Sequence, residues 1–243
     1  MPVFHDQKLI HIHNPRCGGT TINRALAQCL DIPSHYFSTK SISYHYLYGN
    51  HKVNGEKYEL DHLTLPLIED AVSSWILKTF RSFVVVRHPW DRFTSEYTRK
   101  ASTGCKRFIN HRNLSFEQYC LKFLRISRNK FHARDGFVGM THFQSCHFLP
   151  QYFYVGIPGS RTSVLSPEII RIQEINSQLP KLVSTDLSEK LEQLLNSCNK
   201  NSHRMVVSDA IKQSIKEVSP ELKAKIQNFY SQDFQLLSFT PAD

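Results

Sequence analysis

Apolar positions recur along this chain in two rhythms. Leu9, Ile10 and Ile12 form a short apolar run, and Phe83-Val84-Val85-Val86 a longer β-branched one, so both read as strands. After the first, Ile22, Ala25, Leu26, Cys29 and Leu30 fall at i, i+3, i+4, i+7 and i+8, which predicts a helix with one apolar face. After the second, Pro89 stops the strand and can open a helix. Trp90, Phe93 and Tyr97 lie largely on one side of that helix and are assigned to the core, and Arg92 to support of the helix. Ser115-Phe116-Glu117-Gln118 has the form of a capping box ahead of a helix from about Phe116 to Ile126. Gln151 to Val155 and Ile169 to Ile172 are β-prone and become strand candidates. Asp186 through Ser197 carries leucines at helical spacing, and Ser219-Pro220 opens a further helix. Tyr48 to Glu59, Ser102 to Leu114 and Gly156 to Pro167, punctuated by Gly, Pro, Asn or basic residues, read as loops.

Strands that each feed a helix predict an α/β chain: a mostly parallel central sheet flanked by helices, with ligands beyond the carboxyl ends of the strands. At 243 residues and 40% hydrophobic the chain can bury a substantial core. Its length suits one domain over residues 1–243 and is also compatible with two smaller ones. A formal net charge of +9 favours an anionic partner, whether nucleotide, acidic glycan or nucleic acid. No apolar run approaches the roughly 20 residues that span a bilayer, and the N-terminus lacks a signal-peptide core. The expected location is therefore cytoplasmic, the alternative being the excised lumenal domain of a Golgi-type enzyme. Six cysteines without a CxxC pair predict no disulfide framework, and Cys29 and Cys120 fall on apolar helical faces as buried thiols. His142, Cys146 and His147 form the nearest approach to a ligand cluster, but their spacing fits no standard zinc pattern, so no metal is expected.

Candidate chemistry concentrates in two segments. Between the first strand and its helix lies Asn14-Pro15-Arg16-Cys17-Gly18-Gly19-Thr20-Thr21. Unpaired N–H groups at a helix start, two glycines that admit a close backbone approach, and the fixed charge of Arg16 make a socket for an anion. An ordinary strand-turn-helix accounts for the turn equally well when it is taken alone. The second segment, Val86-Arg87-His88-Pro89-Trp90-Asp91-Arg92-Phe93-Thr94-Ser95-Glu96-Tyr97, follows the β-branched run and places Ser95 eight residues after Arg87.

Together the two segments resemble the nucleotide-binding signatures of sulfotransferases that use 3′-phosphoadenosine 5′-phosphosulfate (PAPS). The first is similar to the family's P-K-x-G-G-T-T loop for the 5′-phosphosulfate, and the second to V-R-x-P-x-x-R-x-x-S-x-Y, in which an arginine and a serine hold the 3′-phosphate. Asp61-His62-Leu63-Thr64 resembles the histidine-bearing segment of the uronyl 2-O-sulfotransferase-like and bacterial branches. Ile169 to Glu174 and the Tyr230-x-x-Asp233-Phe234 motif resemble those branches' later signatures. Residues 101–159 match least, and acceptor specificity is expected there. The resemblance implies a P-loop nucleotide-kinase-like fold and PAPS as co-substrate without a metal. It places Pro15, Arg16, Cys17, Gly18, Gly19, Thr20 and Thr21 at the phosphosulfate and Arg87 with Ser95 at the 3′-phosphate. It also implies His62 as catalytic base, with Asp61 able to tune or orient the ring.

Arg16 stands where the family most often has lysine. The charge is kept, but a planar fork is not an ammonium, so binding is expected to survive while the rate can change. His88 replaces an acid or asparagine common in relatives and is read as solvent-facing or adenine-side. Arg171, on the later strand, is not assigned to the nucleotide.

The expected reaction is sulfuryl transfer to an acceptor hydroxyl. Arg16, the loop N–H groups and Thr20 or Thr21 would offset charge on the leaving phosphate while His62 takes the hydroxyl proton. The acceptor implied is an anionic carbohydrate, by the resemblance rather than by any single residue. Arg99, Lys100, Lys106, Arg107, Arg112, Arg125, Arg128, Lys130 and Arg134 either line a groove for an acidic glycan or form a solvated face. A kinase is disfavoured because no lysine precedes Thr20. The alternatives are a non-catalytic nucleotide-binding protein of the same fold and a basic nucleic-acid-binding module; the latter lacks any recognition motif, so no nucleic acid is expected as partner.

Overall fold

The computed structural model describes residues 1–37, 42–103, 114–156, 164–200 and 207–241. Two compact units are formed, one from residues 1–87 with 153–202 and the other from 88–152 with 203–243.

The first unit carries the sheet. Its strands are β1 (Val3–Phe4), β2 (Leu9–Ile12), the hairpin pair β3 (Asn50–Val53) and β4 (Glu56–Glu59), β5 (Arg81–Val86) and, late in the chain, β8 (Glu168–Arg171). The four-stranded sheet has the order β1-β2-β5-β8, in which β2, β5 and β8 run parallel and β1 closes one edge antiparallel. This is the mixed α/β, mostly parallel arrangement that the alternation of runs predicts. The central strands β2 and β5 are buried on both faces, as a parallel sheet requires, with Ile10, Ile12, Val84 and Val86 on one and Leu9, Phe83 and Val85 on the other, whereas edge strand β8 buries Ile170 and leaves Ile169 exposed. The second face packs against α1 (Gly19–Cys29) and, later in the sequence, α9 (Thr185–Lys200), through Ile22, Ala25, Leu26, Leu191 and Leu195. Cys29 is buried in the same core.

β3 and β4 correct the loop expected from Tyr48 to Glu59. Asn54 and Gly55 both have positive φ, 49° and 82°, and Val53 pairs with Glu56, so the Asn-Gly dipeptide forms the mirror-image two-residue turn that suits strand twist. The hairpin ends in a 3-10 turn, Leu60–His62, anchored by the Leu60 N–H on the Gly49 carbonyl. Short helices α2 (Leu65–Ala71) and α3 (Ser74–Thr79) then lead into β5.

The second unit is helical and aromatic. It contains α4 (Pro89–Thr103), α5 (Phe116–Lys130), a small hairpin of β6 (Phe131–His132) and β7 (Gly136–Phe137), α6 (His142–Ser145), α10 (Asp209–Lys216), α11 (Pro220–Phe229) and α12 (Ser231–Leu236). The Ser115 capping box forms on both sides, and α5 runs one turn beyond the expected Ile126. Ser219 caps α11 by accepting the Leu222 N–H. Trp90, Phe93, Tyr97, Phe116, Tyr119, Phe123 and Tyr230 pack as one aromatic core, with Cys120 buried beside them.

Segment 151–155 is a further correction, because Tyr152–Val155 is a helical turn, α7, and not a strand. The Asp233 carboxylate accepts the N–H groups of Gln151 and Tyr152 at 2.8 and 2.9 Å, which fixes a helix start despite the β-prone side chains. Tyr230 donates from its hydroxyl to the Phe148 carbonyl, and Arg92, 2% exposed, donates to that of Leu149. Both the arginine inside the Val86–Tyr97 motif and the terminal Tyr-x-x-Asp-Phe motif thus clamp residues 148–152. Arg92 thus supports the 148–152 segment from within α4.

Ile169–Ile172 is realised as β8, and the leucine-rich stretch from Asp186 lies within α9; α8 (Ile175–Gln178) lies between them. Most of the two later loop expectations, with Cys105, Lys106, Arg107 and Arg112, fall outside the described residues.

Candidate functional site

Ile12 pairs with Val84 in the parallel register of β2 and β5. Two residues beyond Ile12 and directly after Val86, the chain therefore leaves adjacent strands at the same carboxyl edge, with Arg16 in one exit and Arg87 following the other. Asn14 ties the first exit to the second strand by donating from Nδ2 to the Val85 carbonyl, 3.1 Å. Arg171 closes β8 opposite Val86 at that edge.

The turn from β2 into α1 shows why its residues are of these types. Arg16 sits in the left-handed region, φ 68°, where a non-glycine residue is strained, and Gly18 caps the helix at φ 81°. Gly19 answers a different demand. A β-carbon there would fall 1.9 Å from Cδ2 and Nε2 of His13, so the imidazole lies directly on the glycine backbone. At the opening of this 11-residue helix the N–H groups of Gly19 and Thr20 have no intrahelical acceptor, while those of Thr21 and Ile22 bond back to the Gly18 carbonyl. Thr20 is exposed and Thr21 half-buried. Cys17 turns into the core beside Ile22, its thiol toward the Pro15 carbonyl, so only its backbone is available to a ligand. Pro15 is buried.

His62 is delivered by the β3–β4 hairpin and is 6% exposed. Its Nδ1 lies 3.2 Å from the His13 carbonyl, which can only accept, so Nδ1 carries a hydrogen and the ring turns Nε2 toward Asp61. Asp61 Oδ2 stands 3.4 Å from that Nε2. The His13 and His62 rings meet edge to face, centroids 4.4 Å apart.

Three residues that no motif flagged complete this cluster: His11, His13 and Asn23. His11 and His13 occupy alternate positions of one strand direction and stack at 5.4 Å, and His11 also stacks on Phe83 at 4.6 Å. Asn23, on α1 and 1% exposed, lies between them, with Oδ1 2.6 Å from His11 Nδ1 and Nδ2 3.4 Å from His13 Nδ1. Burial pushes His11 down to about 3, so it stays neutral. The available signal was two histidines at alternate positions of an otherwise apolar strand, followed by an asparagine inside the helix's apolar stripe.

His13, Asp61 and His62 offer ligand-type atoms within 4.8 Å of one another. The donor set suits a divalent cation, but its protons do not: the Asn23 amide donates to His13 Nδ1, which puts the hydrogen on Nε2 and leaves neither nitrogen open.

The remaining expected residues are placed as follows. Arg87 is half-buried directly after β5, and Ser95 is half-buried on α4, where its carbonyl accepts from Thr98. His88 is half-buried: its Nε2 contacts the Thr240 carbonyl at 2.8 Å, and the ring lies edge-on to Phe234 and Phe239. His147 pairs with the buried Glu96 at 2.8 Å. Arg125, Arg128, Lys130 and Arg134 are exposed, Arg128 and Lys225 rimming a groove floored by Leu124, Phe131 and Phe229. Among the described residues no helix is long and apolar enough to cross a membrane.

Comparison with curated proteins and with solved structures gave no match. A family model described as the sulfotransferase family matches residues 1–240, which include the glycine turn, the His62 segment, the Arg87 motif and the terminal Tyr-x-x-Asp-Phe. With nearly the whole chain matched, the protein belongs to the sulfotransferase family, whose chemistry is sulfuryl transfer.

Proposed function

We propose that this protein transfers a sulfuryl group from PAPS to an acceptor hydroxyl on an anionic carbohydrate, and that residues 1–243 act as one sulfotransferase domain of P-loop-like fold. The observation that carries the reading is the in-register pairing of β2 with β5, which brings the chain exits bearing Arg16 and Arg87 to one sheet edge. Such an edge suits a nucleotide with phosphates at both ends. Arg16 and the N–H groups of Gly19 and Thr20 would bind the 5′-phosphosulfate, with Pro15, Cys17 and Gly18 shaping the turn and the Thr20 and Thr21 hydroxyls beside it. Arg87 and Ser95 would bind the 3′-phosphate.

In the reaction, the acceptor oxygen forms a bond to sulfur as the bond from sulfur to the bridging phosphate oxygen breaks. The acceptor proton passes to His62 Nε2, and the electron pair leaves with adenosine 3′,5′-bisphosphate. The Asp61 carboxylate, 3.4 Å from Nε2, stabilises the imidazolium that forms. Arg16 and the helix-start N–H groups offset charge growing on the leaving phosphate. No step calls for a metal. Preference for a carbohydrate rests on family resemblance and on the exposed basic face of α5.

The test is radiolabelled PAPS offered to a panel of acidic and neutral polysaccharides and small alcohols, alongside thermal shift with adenosine 3′,5′-bisphosphate. Stabilisation by the bisphosphate, abolished by Arg87→Ala, together with label transfer to a glycan is the expected outcome. Stabilisation without transfer to any acceptor would mark a non-catalytic nucleotide binder, and salt-dependent retention on DNA unprotected by the bisphosphate would overturn the reading.

A further inference from the structure

We propose that Asn23 is a positioning residue for the proton-transfer site, its one amide setting which nitrogen of His11 and of His13 carries hydrogen and so holding the segment that orients His62. The inference rests on the reading of His62 as base. The amide oxygen can only accept, so the 2.6 Å contact makes His11 Nδ1 a donor. The amide nitrogen can only donate, so the 3.4 Å contact makes His13 Nδ1 an acceptor and places the His13 hydrogen on Nε2, the edge resting over Gly19 at the mouth of the anion turn. The carbonyl of the same His13 accepts from His62 Nδ1, which fixes the ring with Nε2 on the Asp61 side.

Three imidazoles thus hold three defined tautomers, and one α1 side chain holds two of them directly. His13 in turn is wedged between the His62 ring, the His11 ring and Gly19. The Tyr48 phenol also faces Asn23. His11 cannot divert the proton, because burial keeps it neutral. Rotation of the His13 ring would displace the His62 ring packed edge to face against it, and a misplacement of about 1 Å near reacting atoms costs about 10²-fold in rate.

The first arm of the test is the wild-type protein with ¹⁵N-labelled histidine. Long-range ¹H–¹⁵N spectra should show His11 and His62 protonated at Nδ1 and His13 at Nε2. The second arm is Asn23→Asp, which is isosteric but presents an acceptor to His13 Nδ1. It should move the His13 hydrogen to Nδ1 and lower kcat about 10²-fold, with KM for PAPS changed less than about 3-fold. Asn23→Ala, checked by thermal melting, should lower kcat comparably without imposing a tautomer. A wild-type spectrum with His13 protonated at Nδ1, or Asn23→Asp turning over at the wild-type rate, would overturn the inference. Failure of the functional reading looks different: the wild-type protein would then neither bind the bisphosphate nor transfer label, whatever its histidine spectrum.

Discussion

The imidazole of His13 lies on the backbone of Gly19, closer than any β-carbon at that position could allow. The adjacent glycines of the turn between β2 and α1 therefore serve separate purposes. Gly18 supplies a left-handed φ of 81°, while the nearest atoms to a β-carbon there are ordinary contacts at 3.7 and 3.9 Å. Gly18→Ala should cost roughly 1–2 kcal/mol of stability from backbone strain alone and leave measurable transfer. Gly19→Ala should displace His13, lower the melting temperature further and abolish transfer. Adding His13→Ala to Gly19→Ala should restore melting but not activity. Equal melting temperatures for the two single variants would contradict this division of labour.

Arg16 holds both a charge and a strained φ of 68°. Arg16→Ala should weaken bisphosphate binding and lower kcat/KM for PAPS by about 10²-fold, the scale of removing one preorganised cation or donor from a charge-developing site. Arg16→Lys keeps the charge, so binding should fall only several-fold while kcat changes independently. Titration calorimetry with the bisphosphate, paired with transfer rates, separates the two effects.

His62→Ala should lower kcat by about 10²–10⁴-fold with little change in bisphosphate affinity. Asp61→Asn, which keeps the shape and removes the charge beside Nε2, should lower kcat less. Full transfer by His62→Ala would remove the residue from the role of base.

Asp233 is fully buried, and desolvation raises its pKa to about 6 even though two backbone N–H groups bond to it. Its carboxyl binds protons more tightly folded than unfolded, so this group contributes stability present below its unfolded pKa and lost as pH rises through about 6. Asp233→Asn removes that dependence and sets an amide N–H₂ against one of the two N–H groups, at roughly 1–3 kcal/mol. Urea melts from pH 4 to pH 7 should show the stability gap between wild type and Asp233→Asn narrowing as pH rises. A gap that widened over that range would contradict the raised pKa.

Periodicity made the strands and long helices readable, because β-branched runs such as Phe83 to Val86 and the apolar stripe of α1 are buried wherever the rest of the chain goes. Two local readings failed for different reasons. The β3–β4 hairpin was written in Asn54-Gly55, a turn signal that the polar flanking strands masked. Helical residues 152–155 carried β-prone side chains, and their cap comes from Asp233, some eighty residues later.

By itself the sequence determined the sheet-forming runs, the glycine turn with its fixed cation and the motif order that places the chain in its family, since each depends on residues near one another along the backbone. Tertiary structure alone decided that β2 pairs with β5 and that His62 bonds to the His13 carbonyl. It alone decided that Asn23 stands between two imidazoles. Hydrogen-bond partners across a parallel sheet or between a hairpin and a strand end are set by packing, and no local pattern of residues encodes which donor will face which acceptor.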